Sequence, residues 1–541
     1  MTMTTDKSQW LINKVLARQA QERPDSPFIQ FEDGEPFTYA EAHRTANSFG
    51  NAYAQIGVGF GDHVVLMLHN RLEYIWSWIG LSRIGAVTVA VNTAYKGRFL
   101  THVLTNCHAG IAVVEPEFLP WLAEIEDTVP DLKTVYVPSD GADVPRPDFA
   151  RIDVRSFDEL LHGPDDEIDV EVKYSDIGMI MFTSGTTGPS KGVLMPNGHL
   201  HLIGLSMQQA TQLGPEDRYY ICMPLFHAQG ILMQTYGTML GGGSAVLMRS
   251  FSARTWIDDV RKYKATVTNL LGAMNDFVLS LPPRPDDADN DLRLLCALPV
   301  TTETMETLSK RFGVNKFTEL FGMTECSLPV WRPFDAPNEA GCSGKVWDEY
   351  FEVIVAHPDT DEELPVGEVG EILVRPKEPF CFMQGYNGMP DRTVETWRNF
   401  WFHTGDAGRF DDRGYLWYID RIKDTIRRRG ENISSYEVEA VLLEHEAVSE
   451  VAAVAVKAEL GGEDEVLACI VLNPDVPAPE PAALLDFCTP RMPYFAVPRF
   501  IDFVDEIPKT PSSKIQKNKL RERGLTDSTW DREKVGYKVR R

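Results

Sequence analysis

A chain of 541 residues exceeds what a single hydrophobic core organises, so at least two domains are expected. Hydrophobic residues at 43% and charged residues at 24% exclude a disordered chain. The formal charge of −26 argues against nucleic acid or an anionic membrane surface as the main partner, although a local basic pocket can still hold an anionic ligand.

Helix and strand signals alternate in the early chain. Thr38 and Glu41 form a capping-box pair, followed by helical spacing through Ala42, Ala46, Phe49 and Tyr53 to a stop at Gly57. A short apolar strand over 63–68 follows, then a second helix from about Leu72 to Ile84 with Gly85 as its stop, then a strand over 86–91. This β-α-β rhythm predicts an α/β fold, with a largely parallel sheet covered by helices on both faces. Pro- and Asp-rich stretches at 137–149 and 281–291 read as surface loops. Between Tyr219 and Met248 there is no Asp, Glu, Lys or Arg, a length sufficient to span a bilayer. The same stretch holds Pro224, His227, Gln229, Gln234 and five glycines, which suits a strand, a loop and a helix inside a large core. No integral membrane segment is therefore predicted.

Around residue 420 the texture changes. The basic run RIKDTIRRR, Arg421 to Arg429, precedes a helix from about Tyr436 to His445 and strands near 451–456 and 466–472. The Pro-rich spacer PDVPAPEP, a helix from about Ala482, a strand over 500–504 and a Lys-rich tail complete a small α+β domain. The predicted division is 1–421 and 422–541, hinged near the basic run. On its own, that run reads equally as a solvated face or an anion site. The eight cysteines are scattered without a CxxC pair or zinc spacing, which fits reduced thiols in a cytoplasmic enzyme. The N-terminal MTMTTDKSQW lacks the apolar core of a secretory signal.

The most specific segment is Met181-Phe-Thr-Ser-Gly-Thr-Thr-Gly-Pro-Ser-Lys-Gly192, placed after the apolar run 177–182. Its glycines allow tight turns that present N–H groups to an anion. The hydroxyls of Thr183, Ser184, Thr186 and Thr187, together with Lys191, add donors and a positive charge for phosphate oxygens. A Walker A loop would need glycine at Ser190 and a hydroxyl residue after the lysine.

This segment resembles the signature of the adenylate-forming superfamily of acyl-CoA synthetases, carrier-protein adenylation domains and firefly-type luciferases. Further motifs stand in the family's order: MPLFHAQG (223–230), ELFGMTEC (319–326), WFHTGD (401–406), DRIKDTIRRRGENIS (420–434) and PKTPSSKIQK (508–517). The small-domain motif is similar to the branch containing crotonobetaine/carnitine-CoA ligases.

The resemblance implies a division of labour. Thr183, Ser184, Gly185, Thr186, Thr187 and Lys191 would bind the phosphates of ATP. Phe321 would pack on adenine, Thr324 would bond the α-phosphate and Glu325 would hold Mg²⁺, a hard cation suited to carboxylate and phosphate oxygens. Asp406 would bind the ribose hydroxyls with help from Arg421. Lys514 would be the catalytic lysine, offsetting charge as the carboxylate attacks phosphorus, and Lys423 the hinge. Arg427, Arg428, Arg429, Gly430 and Glu431 match the loop that lines the coenzyme A tunnel. His227 matches a residue beside the acyl-adenylate, with a core histidine as the competing reading.

His227, Gln229, Gly230, Met274, Gly322 and Leu328 are the acyl-pocket candidates, a mixed polar and apolar set open to short polar, alicyclic, aromatic or steroid acids. Three departures from the family stand out: Cys296-Ala-Leu-Pro299 replaces a glycine-rich turn, Ser513 replaces glycine before the lysine, and Asp420 replaces glycine. No covalent enzyme intermediate is implied, so no nucleophilic cysteine is nominated. The expected protein is an AMP-forming acyl-CoA synthetase, monomer or homodimer, acting on a small carboxylic acid with ATP, Mg²⁺ and coenzyme A. The alternatives are an enzyme loading a carrier protein in trans, a luciferase-like monooxygenase, and a nucleotide-binding protein without ligase chemistry.

Overall fold

A computed structural model describes residues 6–138, 147–183, 189–271, 273–298, 300–421, 425–428, 431–457, 464–508 and 515–539. The short aliphatic runs His63–Met67, Val87–Ala90 and Ile111–Val114 lack polar alternation, as strands covered on both faces require. They pair in parallel within an eight-stranded sheet that also holds Thr134–Val137, Asp153–Ser156 and Ile177–Thr183. Lys191–Pro196 and Gly385–Tyr386 close its other edge in antiparallel pairing. A seven-stranded sheet runs Phe317–Thr318, Leu294–Leu298, Val267–Leu271, Arg218–Ile221, Ser244–Leu247, Pro27–Phe31 and Phe37–Thr38, parallel except for the last pair.

The expected helices hold. Tyr39–Gln55 starts with the full Thr38–Glu41 capping box, and Leu72–Arg83 ends before Gly85, whose φ is +72°. Leu72–Arg83 is buried along most of its length, and Trp78 meets Tyr236 edge-on at 6.1 Å within the largest apolar core. The uncharged stretch 219–248 resolves into the strand Arg218–Ile221, a π-helical segment Gln229–Tyr236, the helix Gly237–Gly241 and the strand Ser244–Leu247. Among the described residues, no helix is long and apolar enough to cross a membrane.

A third, antiparallel sheet of eight strands occupies 320–421 and was not anticipated from the α/β rhythm. Phe351–Ala356 begins with alternating burial, whereas Ser327–Trp331 and Gly370–Pro376 are buried over most of their length. Leu416–Arg421 belongs to this sheet, whereas the later chain forms a hairpin, Thr425–Arg428 with Glu431–Ser434, and a separate four-stranded sheet. The helices Ser435–Leu442, Pro481–Cys488 and Lys517–Arg523 accompany that smaller sheet. An apolar cluster continues from Phe99, Leu100 and Val103 of the large unit to Ile426, Val438 and Leu484 of the small one.

Candidate active site

Parallel strands deliver their C-terminal ends to one side of a sheet, where open α/β folds place ligands. Here MPLFHAQG follows Arg218–Ile221, Met274 follows Val267–Leu271, and the Phe321–Glu325 segment follows Phe317–Thr318. From the other sheet, Thr183 ends its strand and Asn92 follows Val87–Ala90. The chain thereby gathers residues distant in sequence into one region.

The tightest junction is at Glu325. Its side chain is buried, and Oε1 accepts the Thr183 hydroxyl at 2.8 Å and the Tyr386 hydroxyl at 3.2 Å. The Lys191 ammonium lies 4.4 Å from the centre of the Tyr386 ring. Thr183 and Lys191 are paired residues of adjacent antiparallel strands, so the phosphate-binding run begins and ends at fixed, neighbouring points. Ser184, Gly185, Thr186 and Thr187 lie outside the described residues. Thr324 and Glu325 occupy the turn between Leu320–Met323 and Ser327–Trp331. Gly322 is required there, because a Cβ would sit 2.2 Å from the Ser327 carbonyl oxygen.

Asp406 is buried and faces Arg421 as its partner across the ladder between Trp401–Phe410 and Leu416–Arg421. The strand bends at Gly405, whose φ is +73°. Glu371 holds the bend, accepting from Gly405 N at 3.0 Å and from His403 Nδ1 at 3.0 Å. Phe321 is buried, with its ring 6.4 Å from the exposed Tyr418. Sequence reading passed over Tyr418, although it sits two residues before Asp420. Cys326 is buried, and its thiol is pushed well above the ordinary range by burial, with the Glu325 charge adding to it. It is no nucleophile.

The structure also holds a cavity of about 750 Å³. His227, Met274, Asn92 and Lys96 of the large unit line it, and Glu431, Tyr494 and Phe495 of the small unit close it. Of the acyl-pocket candidates, His227 and Met274 reach it, whereas Gln229, Gly230, Gly322 and Leu328 are not among its lining residues. Gly230 has a packing reason of its own: a Cβ would stand 2.3 Å from the Pro224 carbonyl oxygen. Burial, and then the charge of Arg427, lower His227 to about 4, so the imidazole is neutral at physiological pH. It can exchange hydrogen bonds there but carries no charge.

Lys96 and Arg249 are cavity cations that sequence reading missed. Each is a lone basic residue without a motif around it. Lys96 lies 5.6 Å from the Trp121 ring centre, and Arg249 is 3.6 Å from Glu115.

The basic run splits its roles along a strand. In Thr425–Arg428 alternate residues face opposite ways. Arg427 lies close enough to His227 for its charge to depress the imidazole. Arg428, only 1% exposed, turns inward. Its guanidinium is 2.5 Å from Glu465 and donates to the carbonyls of Phe495 at 2.9 Å and Val497 at 3.2 Å. The expectation that Arg428 belongs to the coenzyme A loop is therefore corrected: it ties the hairpin to the cavity's Phe495 wall. Lys423, Arg429, Gly430 and Lys514 lie outside the described residues. Glu431 accepts from Asn92 Nδ2 at 3.2 Å across the two units, and burial raises its carboxyl to about 7.

Removing one partner of a buried pair leaves the other charge uncompensated. Arg428→Ala should destabilise the small unit by about 3–5 kcal/mol, while Arg427→Ala leaves unfolding nearly unchanged. Thermal denaturation followed by calorimetry separates the two, and equal shifts would contradict the inward and outward assignment.

The AMP-binding enzyme family model matches residues 16–387, and that of the AMP-binding enzyme C-terminal domain matches 437–514. The crotonobetaine/carnitine–CoA ligase of Salmonella typhi is 31% identical over 494 residues, spanning 90% of this chain and 93% of that protein. ATP-bound MatB from Rhodopseudomonas palustris superposes with a TM-score of 0.68 at 25% identity, spanning 95% of this chain and 99% of that one. A double mutant of o-succinylbenzoate CoA synthetase (MenE) from Bacillus subtilis shares the fold, with a TM-score of 0.79 at 24% identity over 96% of this chain and 99% of that one. Motifs in the family's order, strand ends meeting at Glu325 and a family match over most of the chain agree: this protein belongs to the AMP-binding enzyme family.

Proposed function

We infer that this enzyme is an ATP-dependent acyl-CoA synthetase, converting a carboxylic acid, ATP and coenzyme A into acyl-CoA, AMP and pyrophosphate. The observation that carries the reading is the Thr183–Glu325 bond, which joins the phosphate-binding run to the Thr-Glu turn. A carboxylate oxygen attacks the α-phosphorus and pyrophosphate leaves. The thiol sulfur then attacks the acyl carbon, AMP leaves with the bonding pair, and the thiol proton passes to solvent. Lys191 offsets charge on the departing phosphates.

Glu325 suits a magnesium ion, being a buried carboxylate surrounded by hydroxyl oxygens. Among the described residues no group of three or more His, Cys, Asp and Glu could hold a metal ion. When bound, Mg²⁺ supplies positive charge against the phosphate oxygens.

In this reading residues 1–421 form the ATP- and acyl-binding unit, and 422–541 a small unit that turns about Lys423 and carries Lys514. The cavity is the route of coenzyme A. Its aromatic walls suit the apolar arm, and Lys96, Arg249 and Arg427 suit the nucleotide phosphates. The eight free cysteines support a reducing, cytoplasmic setting for an enzyme acting on small molecules.

The deciding experiment measures acid-dependent pyrophosphate release with Mg·ATP across short, medium, aromatic, alicyclic and betaine acids, with and without coenzyme A, reading products by mass. Betaine acids are included because the Salmonella typhi relative is a crotonobetaine/carnitine–CoA ligase. Acyl-CoA and AMP from one acid support the reading; an adenylate that coenzyme A never discharges points to a carrier protein. Lys514→Ala should cut adenylate formation by at least about a hundredfold while leaving acyl transfer from preformed adenylate nearly intact. Equal losses would remove the role given to Lys514. Arg427→Glu should raise the apparent KM for coenzyme A about tenfold and that for ATP little. An unchanged coenzyme A dependence would return Arg427 to a solvated face.

A further inference from the structure

Among the described residues, carboxylates of the small unit that reach the large one include Glu431 on Asn92, Glu444 on Arg98 at 2.9 Å, and Glu437 on Ser190. Glu437 is the one on the phosphate-binding run. It stands in the first turn of Ser435–Leu442, three residues after the N-cap Ser434, whose hydroxyl accepts from Glu437 N at 3.4 Å. In a Ser-x-x-Glu start the glutamate ordinarily turns back to the N-cap's own N–H, as Glu41 does to Thr38 at 2.9 Å. Here Oε1 of Glu437 instead accepts the backbone N–H of Ser190 at 3.0 Å.

Ser190 is fully buried and directly precedes Lys191. Its carbonyl accepts from His102 Nε2 at 2.7 Å, so a helix of the large unit and one of the small unit grip the same residue. Tyr95 lies close enough to Glu437 and to Glu431 to feel both charges, and Glu439 on the same helix is paired with Lys517 at 2.6 Å. Burial raises the Glu437 carboxyl to about 7.

A carboxylate that accepts a buried backbone N–H fixes the helix carrying it against that residue. We propose that Glu437 is a positioning residue that docks the small unit on Ser190, and so holds the small unit's share of the cavity wall in place for the thiol-transfer step. The small unit docked in this way supplies Glu431, Tyr494 and Phe495 to the cavity wall. The proposal rests on the acyl-CoA synthetase reading.

The test uses the full-length enzyme with an acid that wild type converts to acyl-CoA. Failure to find any such acid counts against the synthetase reading, not against this latch. In Glu437→Ala, pyrophosphate release without coenzyme A should stay within about twofold of wild type, while single-turnover transfer from preformed acyl-adenylate to coenzyme A falls about tenfold or more. Glu437→Gln keeps an acceptor for Ser190 N–H and should transfer within about threefold of wild type. If Glu437→Ala is insoluble, Glu437→Asp replaces it, because the shortened carboxylate no longer reaches Ser190, and the same split is expected. Equal loss in both half-reactions, unchanged transfer in the Ala or Asp variant, or a Gln variant as slow as it would overturn the proposal.

Discussion

Burying a carboxylate is costly unless donors surround it, and the site is organised around the one at Glu325. Thr183 and Tyr386 meet that need with their hydroxyls. Thr183 ends a central strand of the eight-stranded sheet, Tyr386 lies on its edge strand, and Glu325 sits on a turn of the antiparallel sheet. Two bonds to one oxygen therefore fix the antiparallel sheet against the parallel-rich eight-stranded one. They also aim a negative charge at the start of the phosphate-binding run, where a cation bridging carboxylate and phosphate would be favoured. Lys191, on the face of the Tyr386 ring, places the compensating positive charge at the run's other end.

From that junction the smaller unit acquires its meaning. Its hairpin uses the two-residue period of a strand to send adjacent arginines to different tasks. Arg428 goes into the core, where it holds the carbonyls of Phe495 and Val497, and Arg427 goes toward His227. A neutral His227 follows from this arrangement, since burial and a nearby guanidinium both disfavour its charged form. Glu431, partly buried, and Glu437, buried, then meet the large unit as acceptors on Asn92 and Ser190.

Much of this was legible in the sequence, for identifiable reasons. The capping box at Thr38, the glycine stop after Leu72–Arg83 and the short aliphatic strands are local signals, and the structure keeps them. Motif order carried Thr183, Lys191 and Glu325, which meet in space. The antiparallel sheet was missed because most of its strands follow one another through loops, without the alternating helices that announce a parallel sheet. Lys96 and Arg249 were missed because a lone cation becomes part of a site only through its neighbours, Trp121 and Glu115. Arg428 was misassigned because a run of arginines does not reveal which one faces inward, a matter decided by the partner strand and by Glu465.

The remaining tension is global. A chain carrying −26 must receive ATP and coenzyme A, both polyanions, against its own field. Distributed charge is screened over about 10 Å at ordinary ionic strength, whereas buried contacts are screened much less. A few cations placed at strand ends and cavity walls can therefore outweigh a distant acidic surface. Lys191, Lys96 and Arg427 occupy such places, two of them lying on aromatic rings and the third beside a neutral histidine. Those rings and that imidazole carry no negative charge of their own. The acidic exterior and the local cationic site are thus compatible, and Glu437 brings a carboxylate into this region only where the small unit docks.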